Sequence, residues 1–254
     1  MTDMMLVTRA QPGAERTAAA LTARGIAALI WPMLTIAPRT GVDLDPASFA
    51  ALAFTSAAGV SAFATARTER TIPAYAVGSG TAAALVRAGF TEIRAGDADA
   101  AALAARIAAD RPGAILHVAG ADLAVDLAAR LADCGIEAAL RTAYDTVFTS
   151  AEPTGEIADR LCRAHPAPFA AVLFHSPRGA QAFASLAARY AFDLTRTDAL
   201  CLSEAVARSA ASAPVASATG APESGLLPWR RIAVGAAPTE EALLNIAGRT
   251  AGEA

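Results

Sequence analysis

The chain has 254 residues, long enough for one large domain or two of ordinary size, and with 54% hydrophobic and 18% charged residues it is neither disordered nor fibrous. Its net charge of −3, with the basic residues spread along the chain, excludes the concentrated basic face of a nucleic-acid binder. Every basic residue other than the three histidines is Arg, which excludes a Schiff-base lysine, a pyridoxal-phosphate anchor and the lysine of a phosphate-binding P-loop.

In chain order, an apolar run at 5–8 precedes an Ala-rich helical segment at 13–24 and a second run at 27–31. Pro32 and Pro38 then bracket a stretch predicted to be extended, because residues before proline avoid the helical region. Further strands are predicted at 52–55, 74–77, 92–95, 115–118 and 138–142, with helices at 59–67, 81–88, 100–109 and 123–133 between them. Strands at 171–175, 199–202 and 231–235 follow, with helices at 179–189 and 239–247, and 212–228 reads as a surface loop. Short β-branched runs alternating with longer helical segments predict an α/β fold of parallel sheets covered on both faces by helices.

A repeat runs through this pattern. Leu6, Leu21, Gly25 and Ile26 recur at one offset as Leu116, Leu131, Gly135 and Ile136, and the ten residues from Phe54 to Phe63 align without gaps to Phe174–Phe183. With the unit framed by Leu6 and Ile26 written X and the unit of Phe54–Phe63 written Y, the order along the chain is X, Y, X′, Y′. Either X pairs with Y, with a boundary near Arg111, or X joins Y′ in one domain while Y and X′ form another inserted into it. The second arrangement needs two crossings, near 33–38 and 142–149. The repeat alone permits both.

Several predicted strands end in small hydroxyl residues: Thr8 with Arg9, Thr55 with Ser56, Ser79 and Thr81 in Gly78-Ser-Gly-Thr81, Ser176, and Ser203. Such residues cap the free N–H groups of a following helix, and those N–H groups with the helix dipole behind them bind anions. In open α/β sheets these turns lie where ligands sit, so five of them in two domains suit a polycarboxylate. Gly78-x-Gly80-x-x-Ala83, with Asp97 beyond it, also fits a dinucleotide fingerprint, but a lone match without a counterpart in the other half is weak.

His117, His165 and His175 show no metal-ligand spacing and no nucleophile elbow, so neither a metal site nor a hydrolytic triad is expected. His175 replaces the Thr55 of the sister turn, either facing a cleft or sitting hydrogen-bonded in the core. Tyr144 lies in the second crossing, where a phenol could donate a proton or pack a hinge. Cys134, Cys162 and Cys201 read as reduced, buried thiols. Residues 1–9 lack a basic segment followed by a long apolar run, and no apolar stretch is long enough to span a bilayer; neither a signal peptide nor membrane association is expected.

In order and spacing, Leu6-Val-Thr-Arg9, Pro32, Phe54-Thr-Ser56 with Val60, Val77-Gly-Ser-Gly-Thr-Ala82, Tyr144, Phe174-His-Ser-Pro-Arg-Gly-Ala180 and Pro238-Thr-Glu-Glu-Ala-Leu-Leu244 resemble the uroporphyrinogen-III synthase family. The resemblance implies two doubly wound, flavodoxin- or Rossmann-like parallel-sheet domains, interleaved. The first comprises 1–35 and 149–254, the second 38–146, and hinge strands at about 33–38 and 142–149 join them. It also implies the substrate, hydroxymethylbilane, a linear tetrapyrrole with an acetate and a propionate on each ring, which is closed with inversion of ring D and loss of water. The implied enzyme is a cytoplasmic, monomeric lyase without cofactor or metal, in transient contact with the preceding enzyme of its pathway. Tyr144 is the implied proton donor, and Thr8, Arg9, Thr55, Ser56, Ser79, Thr81, Ser176, Arg178 and Ser203 are the implied substrate contacts. This chain departs from the family pattern at His175, where Thr is expected, and at Ala205-Val206, where relatives carry threonines. An anion-binding bilobal protein without catalysis and a dinucleotide-dependent oxidoreductase are the alternatives.

Overall fold

The computed structural model describes residues 4–96, 99–123, 125–165, 167–216 and 222–252. Asp97 and Pro166 lie outside the described residues. Two compact units make up the chain, Met1–Thr35 with Val147–Ala254 and Ile36–Thr146. The elements run β1 (Met4–Val7), α1 (Gly13–Thr22), β2 (Ala27–Ile30), β3 (Leu34–Pro38), β4 (Ala51–Phe54), α2 (Ala57–Ala66), β5 (Ala74–Val77) and α3 (Gly78–Arg87). After these come β6 (Ile93–Gly96), α4 (Ala100–Asp110), β7 (Ile115–Gly120), α5 (Leu127–Asp133) and β8 (Ala138–Phe148). The remainder is α6 (Gly155–Cys162), β9 (Ala171–Phe174), α7 (Pro177–Tyr190), β10 (Asp198–Cys201), α8 (Glu204–Ala211), β11 (Ser212–Ala216), β12 (Pro222–Leu226), β13 (Arg231–Val234) and α9 (Glu240–Gly252).

The main sheet of the discontinuous unit has the order β13-β10-β9-β1-β2, and all of its pairs are parallel. Counted along that unit's own chain the order is 2-1-3-4-5, the flavodoxin-like winding, whose switch point lies between β1 and β9. Alternate residues of each strand feed different cores. Met5 and Val7 pack with Leu173, Leu200 and Leu243 on one face, while Leu6 packs with Val172, Phe174 and Phe183 on the other. The rings of Phe174 and Phe183 meet edge-on with centroids 5.3 Å apart.

The continuous unit has the order β3-β8-β7-β4-β5-β6, and β8, β7, β4, β5 and β6 are mutually parallel. Apart from β3 its strands repeat the first sheet, with β7 in the place of β1 and β4 in the place of β9. Leu6 and Leu116 lie in β1 and β7, and Phe54 and Phe174 in β4 and β9, so the repeat resolves into the interleaved pairing of X with Y′ and Y with X′. The switch point of the second sheet is the β7–β4 seam. Again two cores flank it, Leu52, Phe54, Leu116 and Val118 on one face and Ala51, Ala53, Tyr75 and Ile115 on the other.

The Leu-Gly-Ile repeat has a local physical cause. After α1 the Ile26 N–H donates to Leu21 O at 3.0 Å and the Gly25 N–H to Thr22 O at 2.9 Å; after α5 Ile136 donates to Leu131 O at 2.9 Å and Gly135 to Ala132 O at 2.9 Å. With Gly25 at φ 77° and Gly135 at φ 71°, both turns are Schellman C-caps, closed by the left-handed glycine and turned directly into the next strand.

Three expectations are corrected. Residues 212–216 and 222–226 form an antiparallel hairpin, β11 with β12, in place of the expected loop; Ala and Ser have weak strand propensity, so the pairing of backbone with backbone carries no signal in the pattern. Cys134 and Cys162 are exposed, being the cap of α5 and the last residue of α6; only Cys201 is buried. Helix α5 starts at Leu127, four residues later than the predicted 123, because the Asp126 side chain caps it by accepting from the Ala129 N–H at 3.0 Å. Helices α6 and α8 add to the predicted elements; with eight residues each, they are too short to establish a period.

Candidate active site

In the continuous unit, Thr55 and Ser56 follow β4 at the switch point. Ser56 is the N-cap of α2, in extended conformation, and its Oγ accepts from the Gly59 N–H at 3.1 Å. The same Oγ lies 2.8 Å from the phenol oxygen of Tyr144, which reaches it from β8. Tyr144 is 8% exposed; one glycine allows this approach, and a second lets α2 lie close against β7. A Cβ on Gly120 would stand 2.5 Å from the Tyr144 ring, and one on Gly59 would stand 2.6 Å from the Val118 carbonyl oxygen. A register shift between Ala119 and Gly120 brings Gly120 opposite Tyr144 across the β7–β8 pair.

Beside this pair, the Thr55 hydroxyl lies 3.5 Å from Nε2 of His117 on β7. His117 is fully buried and its Nδ1 has no partner. Burial pulls its pKa down to about 4, against an opposing pull from Asp126, so the ring is neutral at neutral pH. Here the geometry joins four groups at one sheet terminus: Thr55, Ser56, His117 and Tyr144. The hydroxyl groups and the open end of the helix can orient an anionic or hydroxylated ligand without a reactive nucleophile, with the buried neutral imidazole of His117 behind Thr55.

In the discontinuous unit the switch point lies between β1 and β9. Ser176 caps α7 by accepting from the Gly179 N–H at 3.1 Å, and Pro177 takes the first helical position, where its missing N–H is no loss. Thr8 departs from the expected capping role. Its hydroxyl is buried and donates to Leu173 O at 2.6 Å, pinning β1 to β9, and α1 has no side-chain cap. Arg9 donates from Nη1 to Glu240 Oε2 at 2.6 Å, with Thr17 Oγ1 at 3.4 Å from the same nitrogen. The Thr17 hydroxyl donates to Glu240 Oε1 at 2.5 Å. His175 Nε2 stands 3.1 Å from Glu240 Oε2, although neither ring nitrogen meets a partner in hydrogen-bond geometry. His175 is thus buried at the sheet terminus instead of hydrogen-bonded in the core, and burial lowers its pKa. Burial would raise the Glu240 carboxyl, but His175, Thr17 and Arg9 together hold it down at about 2.

The other predicted residues make contacts of their own. Ser203 caps α8 through the Val206 N–H at 3.5 Å. Ser79 and Thr81 do not cap; β5 runs straight into α3 at Gly78, so both lie inside the first turn, Ser79 exposed and Thr81 buried. Of the dinucleotide-like glycines, Gly78 opens α3 in the left-handed region at φ 67° and Gly80 lies inside the first turn; both follow β5, outside the β7–β4 switch point. Arg178 lies over the Phe148 ring at 5.0 Å. Glu240, Thr17 and Gly120 join these clusters without having stood out in the sequence. For Glu240 the available signal was an acidic pair opening the last helix, which by itself reads as an ordinary favourable helix start. Among the described residues no group of three His, Cys, Asp or Glu side chains could hold a metal ion, and no helix is long and apolar enough to cross a membrane.

These features can be set against known proteins. The model of the family described as uroporphyrinogen-III synthase HemD matches residues 15–226. Among solved structures, the chain is similar to uroporphyrinogen-III synthetase from Helicobacter pylori 26695, with a TM-score of 0.59 and 18% identity over 97% of this chain and 98% of that one. It is also similar to a mutant uroporphyrinogen III synthase from the extremely thermophilic bacterium Thermus thermophilus, with a TM-score of 0.49 and 15% identity over 99% of this chain and 100% of that one. No curated protein matches. At 18% identity the likeness to the Helicobacter pylori protein speaks for the fold alone, whereas the family model, matched over most of the chain, speaks for descent. The chain belongs to the uroporphyrinogen-III synthase family.

Proposed function

We propose that the protein is a lyase of tetrapyrrole biosynthesis that takes hydroxymethylbilane as its substrate and releases water as it closes uroporphyrinogen III. Family membership supports the reaction, and the Ser56–Tyr144 pair at the open N-terminus of α2 supports the chemistry. The pyrrole nitrogen lone pair expels the terminal hydroxide, so only mild acid assistance is required. Tyr144 is the group that gives it in this reading. Its phenol donates towards the departing oxygen while Ser56, fixed by the Gly59 N–H, orients the phenol.

The remaining task is geometric. Closure without assistance keeps ring D as it is, so the protein must hold the chain in the arrangement that favours the spiro route and stabilise the azafulvene cation. Catalysis of this kind is positioning and electrostatics. Within the discontinuous unit the capped helices α7 and α8 present main-chain N–H groups suited to carboxylates, and these survive the replacement of family threonines by Ala205 and Val206.

The test is incubation of the purified protein with freshly made hydroxymethylbilane and chromatographic resolution of the isomers. The type III isomer is expected, in proportion to enzyme. Type I alone at every enzyme concentration would overturn the reading and leave an anion-binding protein without catalysis.

A further inference from the structure

At the β1–β9 switch point, where the flavodoxin-like winding places ligands, the groups present make a carboxylate receptor: the Arg9 guanidinium, the Thr17 hydroxyl and the buried His175 imidazole. That receptor is filled by the chain's own carboxylate. Glu240 Oε2 takes Arg9 at 2.6 Å and lies 3.1 Å from His175 Nε2, while Oε1 takes Thr17 at 2.5 Å. The receptor is held in place by its surroundings. Thr17 is fully buried, and the Arg9 side chain lies so close over Gly13 that a Cβ there would stand 2.5 Å from its Nε. The pair is nonetheless within reach of solvent, with Arg9 29% and Glu240 39% exposed.

We propose that Glu240 is an internal stand-in for a substrate carboxylate, and that it sets the affinity of this unit for its polycarboxylate by competing for Arg9, Thr17 and His175. The proposal rests on the synthase reading, which supplies the polycarboxylate. An acetate or propionate of hydroxymethylbilane enters the receptor as Glu240 leaves it; no bond is made or broken, and one carboxylate exchanges for another. The energetics permit this. The part-exposed ion pair with Arg9 contributes about 1 kcal/mol or less, and the incoming carboxylate takes over the Thr17 and His175 contacts that Glu240 gives up, whereas an anionic side chain left beside an incoming polyanion repels it.

Glu240→Gln separates charge from shape, since the amide retains oxygen and size and can still accept from Arg9 or Thr17. KM for hydroxymethylbilane is expected to fall about fivefold, the factor that corresponds to a part-exposed charge contact, with kcat/KM rising in step. Titration with uroporphyrin III, a non-reacting octacarboxylate, should show the same gain in affinity, and Arg9→Gln in the Glu240→Gln background should abolish it. A KM that is unchanged or raised in folded Glu240→Gln overturns the proposal. If that variant does not fold, Glu240→Ala replaces it, with the same fall expected and the same failure decisive. The isomer assay on the unaltered protein judges the synthase reading separately, so a type III product with no gain in Glu240→Gln sinks this inference alone.

Discussion

The phenol oxygen of Tyr144 and Oγ of Ser56 are 2.8 Å apart, and the same Ser56 oxygen accepts the Gly59 N–H at the start of α2. One serine therefore caps a helix and holds a tyrosine, which links the stability of the element to the geometry of the proposed acid. Tyr144→Phe keeps the ring against Gly120 and removes only the hydroxyl. Turnover of hydroxymethylbilane is expected to fall about tenfold or more, within the range of general acid catalysis, with little change in melting temperature. Ser56→Ala loses the cap, about 1 kcal/mol by denaturant titration, and lowers turnover only mildly because the main-chain donors remain. Unchanged turnover in Tyr144→Phe would reduce Tyr144 to a packing residue.

The two glycines at this site should fail differently. At Gly120 an added Cβ meets the Tyr144 ring, a side chain that can shift; at Gly59 it meets the Val118 carbonyl oxygen, which belongs to a strand with neighbours on both sides. Gly120→Ala should therefore lower turnover by displacing the phenol, at a stability cost of about 1–2 kcal/mol. Gly59→Ala should cost about 3 kcal/mol or prevent folding, since helix and strand must part. Chemical denaturation beside the isomer assay distinguishes the two.

Asp198 is fully buried at the start of β10, where it accepts from Arg230 at 2.6 Å and from Arg231 at 2.8 Å. Burial alone would raise its pKa, but the two guanidinium groups overcome burial and lower it. A carboxylate with a depressed folded pKa stabilises the native state above its ordinary value of about 4, and that contribution disappears as the pH falls through the folded pKa. Asp198→Asn should lower stability at pH 7 by about 2 kcal/mol and flatten the acid limb of the stability profile below about pH 4. An acid limb of unchanged slope would contradict this.

His117 acts with the same sign in the adjoining window at higher pH. Its folded pKa of about 4 lies below the 6.5 of an ordinary histidine, so above 6.5 both states are neutral and nothing is lost. Between 6.5 and about 4 the unfolded chain binds a proton that the native state refuses, and stability falls as the pH drops. NMR titration should find the His117 imidazole neutral at about pH 5, between those two values. His117→Gln should remove the loss of stability between pH 6.5 and about 4, as read from melting temperatures across that range. A His117 that titrates near 6.5 would show that the ring is not desolvated in solution.

Much of this protein was legible in its sequence because much of it is local. The helix caps at Ser56, Ser176 and Ser203 act within three residues, and the Gly25 and Gly135 turns within five. The strand cores announce themselves as short apolar runs, and the family signature lies in the same segments. The tertiary structure decided what depends on winding. Parallel strands joined by crossovers bring remote strand ends together, so Tyr144 meets Ser56 across 88 residues and Arg9 meets Glu240 across 231. For the same reason Thr8, which reads as a cap, instead pins β1 to Leu173 across 165 residues, and Ser79 and Thr81 are drawn into the first turn of α3. Propensity and periodicity act over a few residues, whereas the order of strands in a sheet is a property of the whole fold; that order assigned Arg9 an internal carboxylate as its partner.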